Sequence, residues 1–305
     1  MAITASAVKE LRERTGAGML DCKNVLTEVG GDIEKAIDAL REKGLAKAAK
    51  KSGRIAAEGL VRVVIADGGG KAGIIEVNIE TDFASKNADF ISFVDTLAEQ
   101  TLTTEAADET AFLADKYSGT DGTIQEKLTN FIATIGENVA VRRFRVFEET
   151  GVVYVGYLHL GGKIGVVTGL KTEASAQDVE TIGKDVSMQI ASMNPQFIDE
   201  SGVDPSYLEK EKEILVKQAL SEGKPAEIVE KMVMGRLKKE LKETCLLEQK
   251  FVKNSELTVA QYVSDGAKAL GKDVKVVSMA RFEVGEGIEK KEENFAEEVA
   301  KQMNK

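Results

Sequence analysis

The chain has 305 residues, 43% of them hydrophobic, enough for one large core or several smaller ones and consistent with about two domains. A formal net charge of −10, with 30% charged residues, argues against a protein whose main partner is a phosphate backbone. The absence of Trp and an aromatic content of only 5% argue against extended base-stacking platforms as well.

Residues 4–44 read as three short helices. Val8 and Leu11 share one face of the first, which ends near Thr15-Gly16. The second runs from about Met19 to Val29, with Leu20, Val25 and Leu26 as its apolar side, until Gly30-Gly31 allows a left-handed C-cap. Asp32 is a good N-cap for the third, where Ile33, Ala36, Ile37 and Leu40 recur at helical spacing and Gly44 is expected to close it. So small a module must pack its apolar faces tightly. Its pattern resembles a ubiquitin-associated-type three-helix domain, which binds partners through the loop between its first two helices. Met19 and Leu20 sit at that loop, one expected in the core and the other exposed. The basic run at 46–54 reads as a solvated linker helix rather than a nucleic-acid patch.

A repeat follows. Residues 59–73 align without gaps on residues 151–165, each an alternating strand, a Gly-Gly-Lys turn and a second strand, hence a β-hairpin. Helices are expected after each, from about Asp82 and Ala176. Each copy ends in a related strand, Val139–Val146 and Val277–Val284, sharing Arg-Phe-x-Val. The second copy is longer because it holds an insertion. Asp204-Pro205, an N-cap and a first-turn proline, opens a helix to about Ser221. A turn at 222–225 leads to a second helix from about Ala226 to Cys245. Leu208, Leu215, Ile228, Met232 and Leu237 are expected to seal this αα-hairpin, an arm that also offers a surface for a homodimer. A last amphipathic helix, about Glu293 to Met303, has Phe295 and Val299 on one side.

The fold class is therefore α+β. It comprises an N-terminal three-helix domain with its linker (1–54), a first core subdomain (55–147), and a second (148–200 and 246–285). To these are added the inserted hairpin (201–245) and a C-terminal helical module (286–305). Each subdomain should carry a small antiparallel sheet with helices on one face.

The repeat is its own control, since residues that hold the fold should recur. Gly59, Lys71 and Gly73 do recur, but Thr81-Asp82-Phe83 falls on Glu173, Ala174 and Ser175. Phe83 is then either core, as most phenylalanines are, or an exposed anchor of the kind that dominates interfaces. Asp82 is an acid favoured in a first helical turn.

Thr-Asp-Phe-Ala-Ser-Lys-Asn (81–87) resembles the signature of the elongation factor Ts family, and Leu11–Lys23 resembles its N-terminal signature. Ile135-Gly-Glu-Asn138, Gly223-Lys-Pro225 and Arg281–Ile288 are also similar to that family, and the resemblance covers essentially the whole chain. Ser85 replaces a small apolar residue there, and Leu20 a frequent methionine. The resemblance implies a guanine-nucleotide exchange factor with elongation factor Tu·GDP as partner, no cofactor and no covalent chemistry. It implies that Thr81, Asp82, Phe83 and Ala84 form a wedge that disturbs the partner's Mg²⁺ site. Arg12, Met19 and Leu20 would grip the partner's G domain, with Ile135 and Gly136 adding to that grip beside Phe83. His159 would touch a more distal domain, and the C-terminal helix would dock back on the G domain.

Other chemistries have little material. Cys22 and Cys245 form no C-x-x-C pair and read as reduced thiols, and His159 is the single histidine. No G-x-S-x-G, P-loop or H-E-x-x-H pattern occurs. No apolar run reaches membrane-spanning length, and the start lacks signal-peptide character, so a soluble cytoplasmic protein is expected. The alternative is a ubiquitin-associated-type adaptor that binds through residues 16–22 alone, with Phe83 as scaffold.

Overall fold

The computed structural model describes residues 3–289 apart from residue 224. The expected helix at about 293–303 lies outside the described residues. Three helices open the chain, α1 (Ala5–Thr15), α2 (Met19–Glu28) and α3 (Ile33–Ala49). They close on Leu11, Cys22, Val25, Leu26 and Ala36, all buried. Asp32 caps α3 as expected, its Oδ1 accepting the Lys35 amide at 3.1 Å. Gly44 does not end that helix. It lies buried inside it, where an added Cβ would be 3.6 Å from Asn130 Oδ1 and 3.8 Å from the Ala133 Cβ. A small residue is needed because another helix packs there. The linker stretch is accordingly helical only as far as Ala49.

The first core unit runs β1 (Glu58–Ile65), β2 (Lys71–Ile79), α4 (Asp82–Ser85), α5 (Ala88–Gln100), α6 (Glu109–Ala114), α7 (Ile124–Ile135) and β3 (Val139–Glu148). The second runs β4 (Val152–His159), β5 (Ile164–Thr172), α8 (Ala176–Met193), then the arm α9 (Pro205–Ser221) and α10 (Ala226–Thr244). It finishes with β6 (Lys250–Phe251), β7 (Asn254–Thr258), α11 (Val259–Leu270) and β8 (Val274–Glu283). The main sheets are antiparallel and share one topology, β1-β2-β3 and β4-β5-β8. The fold is α+β, with helices on one face of each sheet. Leu60, Ile75, Val77 and Ile79 meet Phe90, Phe93, Leu97, Leu128 and Ile132 on the first. Val166 and Leu170 meet Val179, Val186, Ile190 and Val263 on the second.

The opposite faces pack on each other. Val61, Ala72, Ile74 and Phe147 join Val152, Tyr154, Val167 and Ala280 in a central layer between the sheets. Strand alternation requires this, since β2 is buried on both faces and would otherwise expose Ala72 and Ile74.

The repeat is real in topology, but its gapless alignment is one residue out. Bulges lie between Glu76 and Val77 in β2 and between Gly169 and Leu170 in β5. Superposing them equates Leu60, partner of Val77, with Val153, partner of Leu170. The gapless alignment pairs Leu60 with Val152, which faces the opposite layer, and a one-residue slip flips every side chain. The bulges also equate Arg143 with Ser278, so the shared Arg-Phe-x-Val is a local likeness and not an equivalence.

The arm forms where expected. Asp204 caps α9 through a 2.7 Å bond from the Ser206 amide, and Ala219, Val229 and Val233 are buried between its helices, with Leu215 beside them. Leu237 is buried too, but Ile228 is exposed and does not contribute to the seal.

Candidate functional site

The Thr81–Phe83 segment begins where β2 leaves the sheet. Thr81 is the N-cap of the one-turn helix α4, its Oγ1 accepting the Ala84 amide at 3.2 Å. Ala84 and Ser85 turn inward and are buried. The Ser85 hydroxyl donates to the Asp82 carbonyl at 2.9 Å, which accounts for a hydroxyl in a small inward-facing position. Asp82 points outward and pairs with Lys86 at 2.8 Å. That bond, aided by the charges of Lys86 and Lys163, holds its carboxyl below the usual carboxylate range. Phe83 is 83% exposed. Of the two readings its residue type allows, burial is excluded.

Helix capping explains why the second copy has no counterpart. Ser175 caps α8 as Thr81 caps α4, so the position matching Phe83 is Gln177, also exposed. The second position of each helix faces outward, and only the first copy places an aromatic ring there.

Ile135 and Gly136 lie at the end of α7, where Gly136 takes the left-handed C-cap conformation with φ 83°. Ile135 is half-buried against the first core, and Gly136 is exposed. The next residue, Glu137, reaches across to Thr81. Its Oε2 accepts the Thr81 amide at 3.0 Å and its Oε1 the Thr81 hydroxyl at 2.8 Å. The structure therefore brings residues 81–84 together with 135–136.

The N-terminal module joins the same corner through α3, which packs on α7, and through Lys51, which donates to the Gly136 carbonyl. Met19 is 62% and Leu20 69% exposed, so the expected division into one core and one surface residue is wrong. Both occupy the first turn of α2, while Cys22, Val25 and Leu26 fill the core from the opposite side. Arg12 is exposed and, with Met19, Val8 and Ile3, lines a hollow of about 350 Å³.

His159 ends β4, half-buried, its Nδ1 hydrogen-bonded to the Tyr157 hydroxyl at 2.9 Å. Leu160 beside it is 69% exposed at a φ of 49°. The sequence reading passed over this leucine. Exposed apolar side chains on a hairpin tip are the signal that would have found it. The tip lies over the start of β1, where Lys163 pairs with Glu58 at 2.7 Å. Among the described residues no His/Cys/Asp/Glu cluster could hold a metal, and no helix is long and apolar enough to cross a membrane.

Phe83, Met19, Leu20 and Leu160 each stand exposed, and aromatic and apolar side chains of this kind are suited to anchoring a protein partner. The family model described as Elongation factor TS matches residues 80–286. Elongation factor Ts of Clostridioides difficile (strain 630) is 57% identical over 302 residues, 99% of each chain. That of Clostridium kluyveri (strain NBRC 12016) is 52% identical over 302 residues, again 99% of each. That of Clostridium perfringens (strain 13 / Type A) is 53% identical over 304 residues, 99% of this chain and 100% of the relative. By sequence along nearly its full length, and by a family match that runs from the end of β2 through the second sheet unit and the arm, this chain belongs to the elongation factor Ts family.

Proposed function

We propose that this chain is the guanine-nucleotide exchange factor of elongation factor Tu, and that Asp82 and Phe83 enter the GTPase beside its nucleotide. Family membership supports the exchange role, and the 83% exposure of Phe83 on an anchored turn carries the mechanism. An aromatic ring held in water gains by entering an apolar cleft. Asp82 brings a negative charge that competes for the groups around the partner's Mg²⁺. Loss of that cation uncovers phosphate charge and weakens GDP. The coupling is reciprocal, so GDP must loosen this protein by the factor with which this protein loosens GDP. No covalent chemistry is required. Arg12, Met19 and Leu20 supply grip on the G domain, Ile135 and Gly136 extend it, and His159 with the hairpin tip meets a second domain of the partner.

For this role the chain divides into the N-terminal module (1–54), two core subdomains (55–147; 148–200 with 246–285), the arm (201–245) and the C-terminal segment (286–305). The setting is the cytoplasm, and the arm is available to a second copy. A second reading draws on the joint exposure of Met19 and Leu20. In it, the chain is an adaptor that binds through residues 16–22 without exchange activity. Stopped-flow release of fluorescent GDP from elongation factor Tu decides between them. Phe83→Ala should lower stimulated release at least about tenfold, an anchor-sized loss. Full stimulation by that variant would remove Phe83 from the mechanism.

A further inference from the structure

We propose that Glu137 is a positioning residue for exchange, a clamp that holds the one-turn helix carrying Phe83 in its working pose. The inference rests on Phe83 being the wedge.

A four-residue helix cannot sustain itself, because nucleation costs more than a single turn returns. Phe83 adds no packing to α4, since it stands in water. The turn must therefore be held by its neighbours. Ala84 and Ser85 anchor its inner side. At its start, both oxygens of one carboxylate are spent on one residue, Glu137 accepting the Thr81 amide at 3.0 Å and the Thr81 hydroxyl at 2.8 Å. Thr81 Oγ1 has a single proton. Giving it to Glu137 leaves a lone pair for the Ala84 amide, so the clamp also orients the N-cap. Bonds to an ionised acceptor are about twice as strong as neutral ones.

Glu137 is itself set firmly. Gly136 turns the chain out of α7 in a conformation side chains rarely adopt, and Lys51 donates to its carbonyl. Glu80, just past the end of β2, answers by accepting the Asn138 amide at 2.5 Å, so neighbouring residues of the two segments clamp each other. The Asn138 side chain donates to the Arg54 carbonyl at 2.8 Å, tying in the linker from the N-terminal module. The fold does not depend on Glu137. Ile79 pairs with Val139 in the ladder, and Ile124, Leu128 and Ile132 seat α7. What Glu137 adds is confined to the turn, and through the turn to the direction of Phe83.

The test compares Glu137→Ala, Glu137→Gln, Phe83→Ala and the Glu137→Ala/Phe83→Ala double variant in full-length protein. Release of fluorescent GDP from elongation factor Tu is measured over a range of exchange-factor concentrations, and backbone amide hydrogen exchange is measured on the free variants. Glu137→Ala should lower the saturating release rate about tenfold, as for a turn competent only about a tenth of the time. The half-saturating concentration should stay within about twofold, because the grip surfaces are untouched. Glu137→Gln, which keeps one acceptor, should fall between wild type and alanine. The double variant should be no slower than Phe83→Ala alone, and the Thr81 amide should exchange at least about tenfold faster with the β2 amides unchanged. Wild-type release by Glu137→Ala beside a defective Phe83→Ala would overturn the clamp and leave the wedge standing. Losses that multiply in the double variant, or amides that speed up throughout the sheet, would overturn it in favour of general destabilisation. Full activity of Phe83→Ala would overturn the wedge, and with it any part for Glu137 in exchange.

Discussion

Glu76 Oε1 accepts the Gly285 amide at 2.8 Å, joining the middle strand of the first sheet to the turn that follows the last strand of the second. The same carboxylate, fully buried, pairs with Arg142 at 2.9 Å and Arg143 at 2.6 Å. Arg143 continues to Glu286 at 3.0 Å and lies over the Phe282 ring. One buried charge thus locks the two sheets at an end of their shared layer, with its lone pairs satisfied from both.

Glu76→Ala should therefore destabilise the chain by about 2–3 kcal/mol, less than the usual cost of orphaning a buried partner because both arginines retain access to water. Urea unfolding would measure it. A change under about 0.5 kcal/mol would mean that the network contributes little to the union of the sheets.

The close approach of the sheets makes a second prediction. A Cβ on Gly156 would lie 2.6 Å from Val63 Cγ1, and one on Gly165 would overlap the buried Val61 side chain. Gly165→Val should cost at least about 2 kcal/mol by overpacking, read as a lower urea midpoint with an unchanged slope. A wild-type midpoint would show that the central layer yields easily.

Grip and wedge should separate kinetically. Met19→Ala with Leu20→Ala removes two exposed side chains that the module's core does not use. Stability should stay within about 0.5 kcal/mol. The half-saturating concentration for GDP release should rise at least about fivefold while the saturating rate changes little, the signature of lost uniform binding. A fall confined to the saturating rate would assign these residues to the opening step.

Much of this architecture was legible in local patterns, because caps and turns act over a few residues. Asp32, Asp204 with Pro205, and the two hairpins follow from such rules and stand where they were expected. Gly44 misled for a related reason. Glycine marks a helix end only when nothing packs there, and here α7 does. The split assigned to Met19 and Leu20 failed because helical spacing tells which residues share a face, while the three-helix packing decides which face is inside. Helices are expected after Asp82 without individual bounds, and the elements at 250–270 are not resolved one by one, though Thr123 and Thr258 each open a helix with a capping box that marks its start.

Capping residues, hydrophobic periodicity and turn spacing were enough to point to an α+β chain, its internal repeat and its arm, since each depends on neighbours in sequence, and the resemblance of its motifs pointed to its family. Register, the packing of sheet on sheet, and the outward stance of Phe83 needed the tertiary structure. A strand's two faces are equivalent until something packs on one of them, and a phenylalanine is core or wedge according to what surrounds it. The clamp from Glu137 to Thr81 spans 56 residues of chain and exists only because β2 and β3 lie side by side.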